Sequence, residues 1–268
     1  MSNLEAVRPV RPVAGYIGGK RNLARRLTAI IDQVDCRTYA EPFVGMGGIF
    51  LRRSRRPAAE VINDISGDVA TLFRVLQEHY AYFVDMLRFR LAGRAEFERL
   101  RALPAERLTD LQRAARFLYL QRTAFGGKVS GRTFGVDARG SSAFNVSQLE
   151  GMLADVHERL AAVVIEQLPF ASFIPRYDRD ETLFYLDPPY WGCEDDYGQD
   201  VFSRADFEVL ASALARIRGR FLMSINDTPG VRDCFAAFRV AEVATTYSIS
   251  GAPRPARELI ISNFDYGR

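Results

Sequence analysis

The sequence predicts an α/β protein whose open sheet is interrupted by a mainly helical segment. Between Arg37 and Asp64 a strand, a glycine-rich loop, a helix and a second strand follow one another, and an acidic residue ends the series. This order is typical of the opening half of a nucleotide-binding sheet. Residues 67–160 then show apolar positions every three or four residues, as helices do. Strand patterns return after them, so the sheet is expected to resume there.

Hydrophobic periodicity and turn residues set the bounds of each element. The predicted strands are 37–41, 59–63, 163–167, 182–186, 221–225, 240–249 and 258–262, and the first two predicted helices are 22–34 and 49–53. We therefore predict a core of residues 1–75 and 155–268, with residues 76–154 inserted as a segment near the size of a small domain.

The composition narrows the class of protein. Hydrophobic residues make up 48% of the 268 residues, and the net charge of +3 does not by itself indicate nucleic acid. There is no apolar run of the ~18 residues that a membrane span needs, and the first residues lack the apolar core of a signal peptide, so we expect a cytoplasmic protein. The three cysteines are Cys36, Cys193 and Cys234. Their number and spacing argue against a disulfide framework and a four-ligand zinc site, and no metal is expected.

Lysine is used at two positions, Lys20 and Lys128, while the other basic residues are arginine. A coding bias explains the general excess of arginine. It leaves open why these two positions keep a compact ammonium, which differs from a guanidinium in size and donor geometry. Lys20 ends the segment Tyr16–Lys20 with two glycines before it. It is either a solvated charge on a turn or an ammonium that reaches a carboxylate of a ligand or of the protein.

The segment Asp187-Pro188-Pro189-Tyr190 directly follows the apolar run LFYL. Ligands of open α/β sheets lie just beyond the carboxyl ends of strands. The Asp187 carboxylate and the Pro188 carbonyl could accept both hydrogens of an amino group, and the prolines stiffen the turn and remove backbone donors. Tyr190 offers a ring on which an extruded base can stack. We predict a catalytic role for these four residues; the alternative is a proline-rich turn with an acidic start.

The loop from Pro42 through Phe43, Gly45 and Gly47 is the second candidate site. Its glycines permit positive φ angles and close approach of a ligand. The loop has neither the dinucleotide-binding glycine pattern nor a phosphate-binding lysine, which favours a ligand without phosphates. Asp64 ends the next predicted strand at the spacing from Gly45 where an acidic side chain meets ribose hydroxyls. The alternative for Asp64 is a helix cap or a turn.

Together these motifs resemble the N6-adenine DNA methyltransferases of the Dam type, also called the D12 class. The resemblance runs through YIGGK at 16–20, EPFVGMGGIF at 41–50, NDIS at 63–66, RFLYLQRTAFGGK at 116–128, DPPY at 187–190, SINDTPGVRD at 224–233 and RELIISNF at 257–264. Two departures stand out. Tyr16 occupies the position of a family tryptophan, and Leu168-Pro169 replaces a polar pair near the adenine of the cofactor.

The resemblance implies a Rossmann-like class I methyltransferase sheet of seven strands, one of them antiparallel, with a helical target-recognition insertion before DPPY. It implies direct transfer of a methyl group from S-adenosyl-L-methionine to N6 of an adenine flipped out of double-stranded DNA. The implied cofactor-binding residues are Tyr16, Gly19, Lys20, Pro42, Phe43, Gly45, Gly47, Asp64 and Asp187. No metal or membrane partner is implied, and we expect a monomer or a weak dimer.

Basic residues in and beside the insertion are candidates for DNA contact. They are Arg122, Lys128, Arg132 and Arg139. Phosphate contacts are favoured over base contacts because most protein–DNA hydrogen bonds go to the backbone. The arginines at 52, 53, 55 and 56 either approach DNA or form an ordinary charged surface.

Two other classes remain open. One is an amino-methyltransferase that acts on RNA adenine, cytosine N4 or a glutamine side chain. By the same resemblance, glutamine enzymes usually carry Asn and cytosine enzymes often Ser in place of Asp187. The other is a catalytically silent DNA-binding relative, against which the intact Asp64, Asp187 and Tyr190 argue.

Overall fold

The computed structural model describes residues 3–20, 22–135, 142–198, 201–247 and 254–267. Its strands are β1 (Glu5–Ala6), β2 (Thr38–Glu41), β3 (Arg55–Arg56), β4 (Ala59–Asn63), β5 (Val164–Glu166), β6 (Thr182–Leu186), β7 (Arg220–Asn226), β8 (Arg239–Tyr247) and β9 (Arg254–Ser262). Its helices are α1 (Ala24–Ile31), α2 (Gly67–Glu78), α3 (Tyr80–Leu87), α4 (Arg94–Ala102), α5 (Asp110–Thr123), α6 (Val146–Arg159), α7 (Phe170–Tyr177), α8 (Arg204–Leu214) and α9 (Pro229–Cys234). Within the described ranges, no helix is both long and apolar enough to cross a membrane.

Seven strands form one sheet in the order β5-β4-β2-β6-β7-β9-β8. Strand β9 runs antiparallel to both of its neighbours, and the other adjacent pairs are parallel. The predicted seven-stranded sheet with one antiparallel strand is therefore confirmed. Strand order reverses between β2 and β6, which is where open α/β sheets bind their ligands.

Most strands lie close to their predicted bounds, and β4 and β6 match them. Strand β9 begins four residues earlier than predicted, at Arg254. Pro255 argued against a strand at this position, because proline lacks the N–H that a central strand needs. The extension pairs with β8, while the β7 partners of β9 begin at Glu258, so Pro255 lies where the ladder has one neighbour.

The predicted helix over 49–53 is wrong. The segment Phe50–Arg52 forms a single 3-10 turn, and the chain is extended again at Arg53. This stretch pairs instead with the first residues of the chain. The Val10 amide donates to the Leu51 carbonyl at 2.8 Å, and β1 pairs with β3. The Leu51 carbonyl is therefore bonded to another part of the chain.

Both faces of the sheet are covered, as a mainly parallel sheet requires. Along β6, Leu183 and Tyr185 point into one hydrophobic cluster, and Phe184 and Leu186 point into another. This alternation is the two-residue period of a strand. The first cluster contains apolar residues of α1, α2, α5 and α6, and the second contains those of α7, α8 and α9.

The predicted insertion packs as part of the first hydrophobic cluster. Phe117 and Leu118 of α5 share that cluster with Leu72 of α2 and Val44 of the glycine-rich loop. Both predicted boundaries of the segment 76–154 fall inside helices, α2 and α6. These helices do not form a separate hydrophobic core. The division therefore remains a proposal about the roles of the two parts, not about separately folded domains.

A buried ion network joins Arg53, which follows the 3-10 turn, to β4 and α6. Glu60 accepts a hydrogen bond from Arg53 Nη1 at 2.8 Å and two from the Arg159 guanidinium at 2.6 and 2.7 Å. All three side chains are at most 5% exposed. The Arg53 guanidinium also lies 3.7 Å from the centre of the Tyr39 ring. Arg53 is thus neither a surface charge nor positioned to approach DNA, so both interpretations of the arginine cluster were wrong for this residue.

Glu60→Gln is expected to lower the free energy of unfolding by about 3–5 kcal/mol, because it removes the buried counter-charge of Arg159 and leaves Arg53 with the longer ion pair to Asp32 at 3.9 Å. Urea denaturation would measure the loss. Glu98→Gln is the matched control, since Glu98 forms an exposed pair with Arg101 and should change stability by less than about 1 kcal/mol. Equal effects of the two substitutions would contradict the prediction.

Candidate active site

Three carboxylates meet at the carboxyl edge of the sheet. Glu41 ends β2, Asp64 follows β4 and Asp187 follows β6, and these three strands are neighbours. A cavity of about 1070 Å³ opens at this edge, and all three residues line it. Parallel strands end on the same side of a sheet, so residues far apart in sequence come together here.

Two glycines shape the loop after β2. Gly45 and Gly47 have φ angles of 50° and 73°, in the left-handed region that favours glycine. A Cβ atom on Gly45 would lie 3.0 Å from the Tyr16 ring, so the close approach at this glycine is made by Tyr16. Gly47 packs instead against Leu51, 2.8 Å from where its Cβ would be.

Asp64 ties this loop to the end of β4. Its Oδ2 accepts the Gly45 amide and its Oδ1 accepts the Ser66 amide, both at 2.9 Å. Burial raises the pKa of Asp64 to about 6, although the two amide donors lower it. Each oxygen keeps a second lone pair that a ligand hydroxyl could use. The residue is therefore a turn aspartate and a potential ligand group at once.

Lys20 is buried among acceptors, with its side chain 1% exposed. Its Nζ lies 2.9 Å from Asp187 Oδ1 and 3.3 Å from Glu258 Oε2, and it donates to the Tyr190 hydroxyl at 2.5 Å. Of the two interpretations of Lys20, the structure supports an ammonium that reaches protein carboxylates. Glu258 was not predicted. A charged residue directly before the apolar residues 259–261 of the predicted strand was the signal that could have found it.

Asp187 is the carboxylate of this network that is partly exposed in the cavity. Its side chain is 21% exposed, whereas those of Lys20 and Glu258 are 1% exposed. Burial raises the pKa of Asp187 to about 6; the Lys20 ammonium lowers it, and the Glu258 carboxylate raises it further. A carboxylate in this position can accept a hydrogen bond from a ligand while Lys20 holds it from behind.

The other residues of the DPPY turn have different surroundings. Pro189 lines the cavity, while Pro188 and Tyr190 lie outside its lining. The Tyr190 hydroxyl donates to Glu258 Oε1 at 2.6 Å. The backbone of Trp191 forms two hydrogen bonds with the side chain of Asn226, at 2.9 and 3.0 Å. Strands β7 and β9 therefore hold the turn through one residue each.

Glu41 adds a buried carboxyl group to the cavity. Burial raises its pKa to about 8, although the Tyr39 hydroxyl, which donates to Glu41 Oε2 at 2.7 Å, lowers it. The rise favours the protonated form, which can donate a hydrogen bond. Sequence reasoning did not select Glu41, although it is the first residue of the EPF loop.

One end of the cavity is apolar and aromatic. Phe43, Phe170 and Phe202 line it with ring centres 5.6–6.0 Å apart, together with Leu168. Asn63 bonds both backbone groups of Leu168, accepting its amide at 2.8 Å and donating to its carbonyl at 3.0 Å. Flat aromatic groups of ligands bind in such surroundings.

The predicted DNA-binding residues differ in their exposure. Arg122 lines the cavity and donates to the carbonyls of Val13 at 2.5 Å and Ala143 at 2.6 Å. Arg132 is partly buried and donates to the Lys128 carbonyl at 3.0 Å, while Lys128 itself is exposed. Arg139 lies outside the described residues. Contact with DNA stays a prediction for all four. Two of them, Arg122 and Arg132, already donate hydrogen bonds to backbone carbonyls.

Gln121 joins the predicted insertion to the loop before α1. Its Nε2 donates to the carbonyls of Gly15 at 2.9 Å and Gly127 at 2.6 Å, and its Oε1 accepts from Arg132 at 3.1 Å. The Ile17 amide donates to the Gly127 carbonyl at 3.1 Å. The backbone of the insertion is thus bonded directly to the loop that carries Tyr16.

The sequence model of one protein family matches residues 16–249, and it describes D12 class N6 adenine-specific DNA methyltransferases. The chain belongs to this family. Its substrate is therefore DNA, the methylated atom is N6 of adenine, and family membership indicates S-adenosylmethionine as the methyl donor.

Relatives of this methyltransferase match nearly the whole chain. The type II methyltransferase M.CviBI of Paramecium bursaria Chlorella virus NC1A is 22% identical over 240 residues, which cover 89% of this chain and 91% of the relative. M1.LlaDCHI of Lactococcus lactis subsp. cremoris is 23% identical over 95% of this chain and 96% of its own. The DNA N-6-adenine-methyltransferase of Escherichia phage P1 is 24% identical over 90% of this chain and 33% of its own.

The methyltransferase cavity brings most of the predicted cofactor residues together. Its lining includes Tyr16, Gly19, Lys20, Pro42, Phe43, Gly45, Asp64 and Asp187. Gly47 belongs to the same loop but packs against Leu51, outside this lining. Within the described ranges, no group of three or more His, Cys, Asp or Glu side chains is arranged to hold a metal ion.

Gly45→Ala is expected to weaken cofactor binding about tenfold, because the strained φ and the displaced Tyr16 ring together cost ~1–2 kcal/mol. Calorimetry with S-adenosylmethionine would measure the dissociation constant. Gly151→Ala is the control, since this glycine lies on α6 with open space around it. That control should bind the cofactor normally. An unchanged dissociation constant for Gly45→Ala would refute the assignment of the loop.

Proposed function

We propose that this methyltransferase moves the methyl group of S-adenosylmethionine to N6 of an adenine flipped out of double-stranded DNA, at the Asp187 end of the cavity. The observation that carries the proposal is the position of Asp187, the partly exposed carboxylate beside the buried side chains of Lys20 and Glu258. We further expect a cytoplasmic enzyme that works as a monomer or weak dimer.

The cavity residues fit the cofactor. Phe43 and Phe170 offer apolar surface for its adenine ring, and the lone pairs of Asp64 can accept its ribose hydroxyls. When bound, S-adenosylmethionine supplies a methyl group on a positively charged sulfur. The predicted contact between Lys20 and the cofactor remains a prediction, because its three observed acceptors are groups of the protein.

Asp187 and Pro188 would bind the amino group of the target. The lone pair of adenine N6 is delocalised into the ring, so the nitrogen is a weak nucleophile. Hydrogen bonds from its two N–H groups to the Asp187 carboxylate and the Pro188 carbonyl would fix the nitrogen and favour a tetrahedral geometry. After methyl transfer the nitrogen carries a positive charge until it loses a proton. The Asp187 carboxylate is the adjacent base that can receive this proton.

The direct test is expression in cells that lack adenine methylation, followed by genome-wide mapping of N6-methyladenine by single-molecule sequencing. N6-methyladenine at one recurrent short sequence is the expected result. Parallel assays of the purified protein with duplex DNA, RNA and protein distinguish the other amino-methyltransferase classes. Methyl transfer to RNA or protein but not to DNA would overturn the proposal.

Asp187→Ala is expected to reduce single-turnover methyl transfer to DNA by about 10²- to 10³-fold, since it removes an acceptor that binds the reacting atom. Calorimetry should still detect cofactor binding, although weakened. Asp180→Asn is the control, because Asp180 is exposed just before the opposite end of β6 and pairs with Arg218. An Asp187→Ala enzyme with near-normal turnover would disprove the catalytic role.

The rate should also depend on pH through Asp187. The group acts as an acceptor when ionised, and its pKa is raised to about 6. Single-turnover rates at saturating cofactor should therefore fall about tenfold per pH unit below about 6 and stay level above it. Cofactor affinity must be titrated separately because burial also raises the pKa of Asp64 to about 6. A rate that stays constant down to pH 5 would contradict the prediction.

A further inference from the structure

Glu258 is a carboxylate in the middle of β9, the strand beside the edge strand β8. It lies on β9 opposite Asn226 of β7, and the next three residues, Leu259, Ile260 and Ile261, are fully buried apolar side chains. Glu258 is 1% exposed. Removing a carboxylate from water costs several kcal/mol unless opposite charges and donors compensate. The partners of Glu258 therefore indicate what this position is for.

Both oxygens of Glu258 contact the DPPY network. Oε1 accepts the Tyr190 hydroxyl at 2.6 Å, and Oε2 lies 3.3 Å from Lys20 Nζ. The Tyr190 hydroxyl in turn accepts from Lys20 at 2.5 Å. These contacts close a ring of Glu258, Tyr190 and Lys20. Asp187 Oδ1 is the third acceptor near the ammonium, at 2.9 Å, whereas the contact with Glu258 Oε2 is an ion pair without hydrogen-bond geometry.

The charges of the ring act on Asp187. Two carboxylates share the ammonium of Lys20, so the three ionised groups together carry one negative charge. The ammonium interacts with Glu258 as well as with Asp187. It therefore weakens the Asp187 carboxylate as a hydrogen-bond acceptor less than it would without Glu258. The upward effect of Glu258 on the pKa of Asp187 has the same origin.

We propose that Glu258 is a positioning residue for methyl transfer. It fixes Tyr190 and Lys20, and through Lys20 it sets the orientation and acceptor strength of the Asp187 carboxylate. This inference rests on the proposed function of Asp187. Asn226, which pairs with Glu258 across β7 and β9, fixes the backbone of the same turn at Trp191. Asn226 thus holds the turn by its backbone, and Glu258 holds it by the Tyr190 side chain.

Glu258→Gln tests the role of the charge, because glutamine can still accept from Tyr190. Glu242→Gln is the matched control on the neighbouring strand β8, where Glu242 is exposed and accepts from Arg232. The assay is single-turnover transfer of tritiated methyl from saturating S-adenosylmethionine to genomic DNA from cells without adenine methylation. Calorimetry gives the affinity for the cofactor.

The expected result for Glu258→Gln is a rate about 10- to 100-fold lower, the range for a hydrogen bond to a charged group, with cofactor affinity changed less than threefold. The acid limb of the pH profile should move to lower pH, because the charge that raises the pKa of Asp187 is gone. A purely structural role would lower the thermal midpoint and the rate without moving this limb. A wild-type rate or an unmoved limb overturns the proposal.

A second measurement needs no turnover. The chain contains two lysines, Lys20 and Lys128, and Lys128 is exposed. Nitrogen-15 labelling of lysine therefore gives two side-chain signals. In the wild type, the Lys20 ammonium protons should exchange slowly with water, while those of Lys128 exchange fast and serve as an internal reference. Glu258→Gln should abolish the slow exchange, and Glu242→Gln should preserve it. Wild-type protection in Glu258→Gln overturns the geometry.

Tyr190→Phe covers the case in which Glu258→Gln does not fold. It keeps the ring and removes the hydroxyl between Lys20 and Glu258, so we expect faster exchange at Lys20 and a rate lowered about tenfold. A normal rate with normal protection would overturn the proposal. If the wild-type protein transfers no methyl to DNA adenine, the proposed function fails while the exchange data still decide the role of Glu258. If the wild type is active and Glu258→Gln matches it, only this inference fails.

Discussion

The candidate active site depends on one buried ammonium. Lys20 lies just before α1, yet its contacts are with the turn after β6 and with the middle of β9. Three parts of the chain that are distant in sequence are thereby fixed to one another. In a region shielded from water, loss of one partner leaves the others as unpaired charges, and that is costly. Arginine is longer and carries its donors in a planar fork, so it does not present them from one compact ammonium as Lys20 does. The use of lysine here, in a chain that otherwise uses arginine almost throughout, has a geometric reason.

Local patterns predicted the framework well. Strand β6 was found as a short apolar run that ends at Asp187, and β4 as a short strand pattern that ends at Asp64. Because parallel strands end on the same side of a sheet, Asp64 and Asp187 were then expected at the same edge. The switch in hydrophobic period predicted the helical segment before β5. These features are encoded within a few residues of each other, so they could be found from the single sequence.

Contacts across the fold could not be predicted in this way. Glu258 and Lys20 are far apart in sequence, and which strand lies beside which turn is decided by packing of the whole sheet. Arg53 shows the same limit. Its neighbours Arg52, Arg55 and Arg56 suggest a charged surface, but the side chain points inward to Glu60 and Tyr39. Arg122 was selected for its charge, whereas the structure shows it bonded to two backbone carbonyls.

The bonds of Gln121 bear on attempts to exchange DNA specificity between related enzymes. This side chain joins Gly15 to Gly127, and the Ile17 amide bonds to Gly127 as well. The proposed recognition segment is therefore hydrogen-bonded to the loop at the edge of the cavity. A chimera cut at the ends of the helical segment would place a foreign Gly127 region against a native Gly15 loop. A graft that tests the proposed recognition role would therefore have to include both Gly127 and the Gly15 loop.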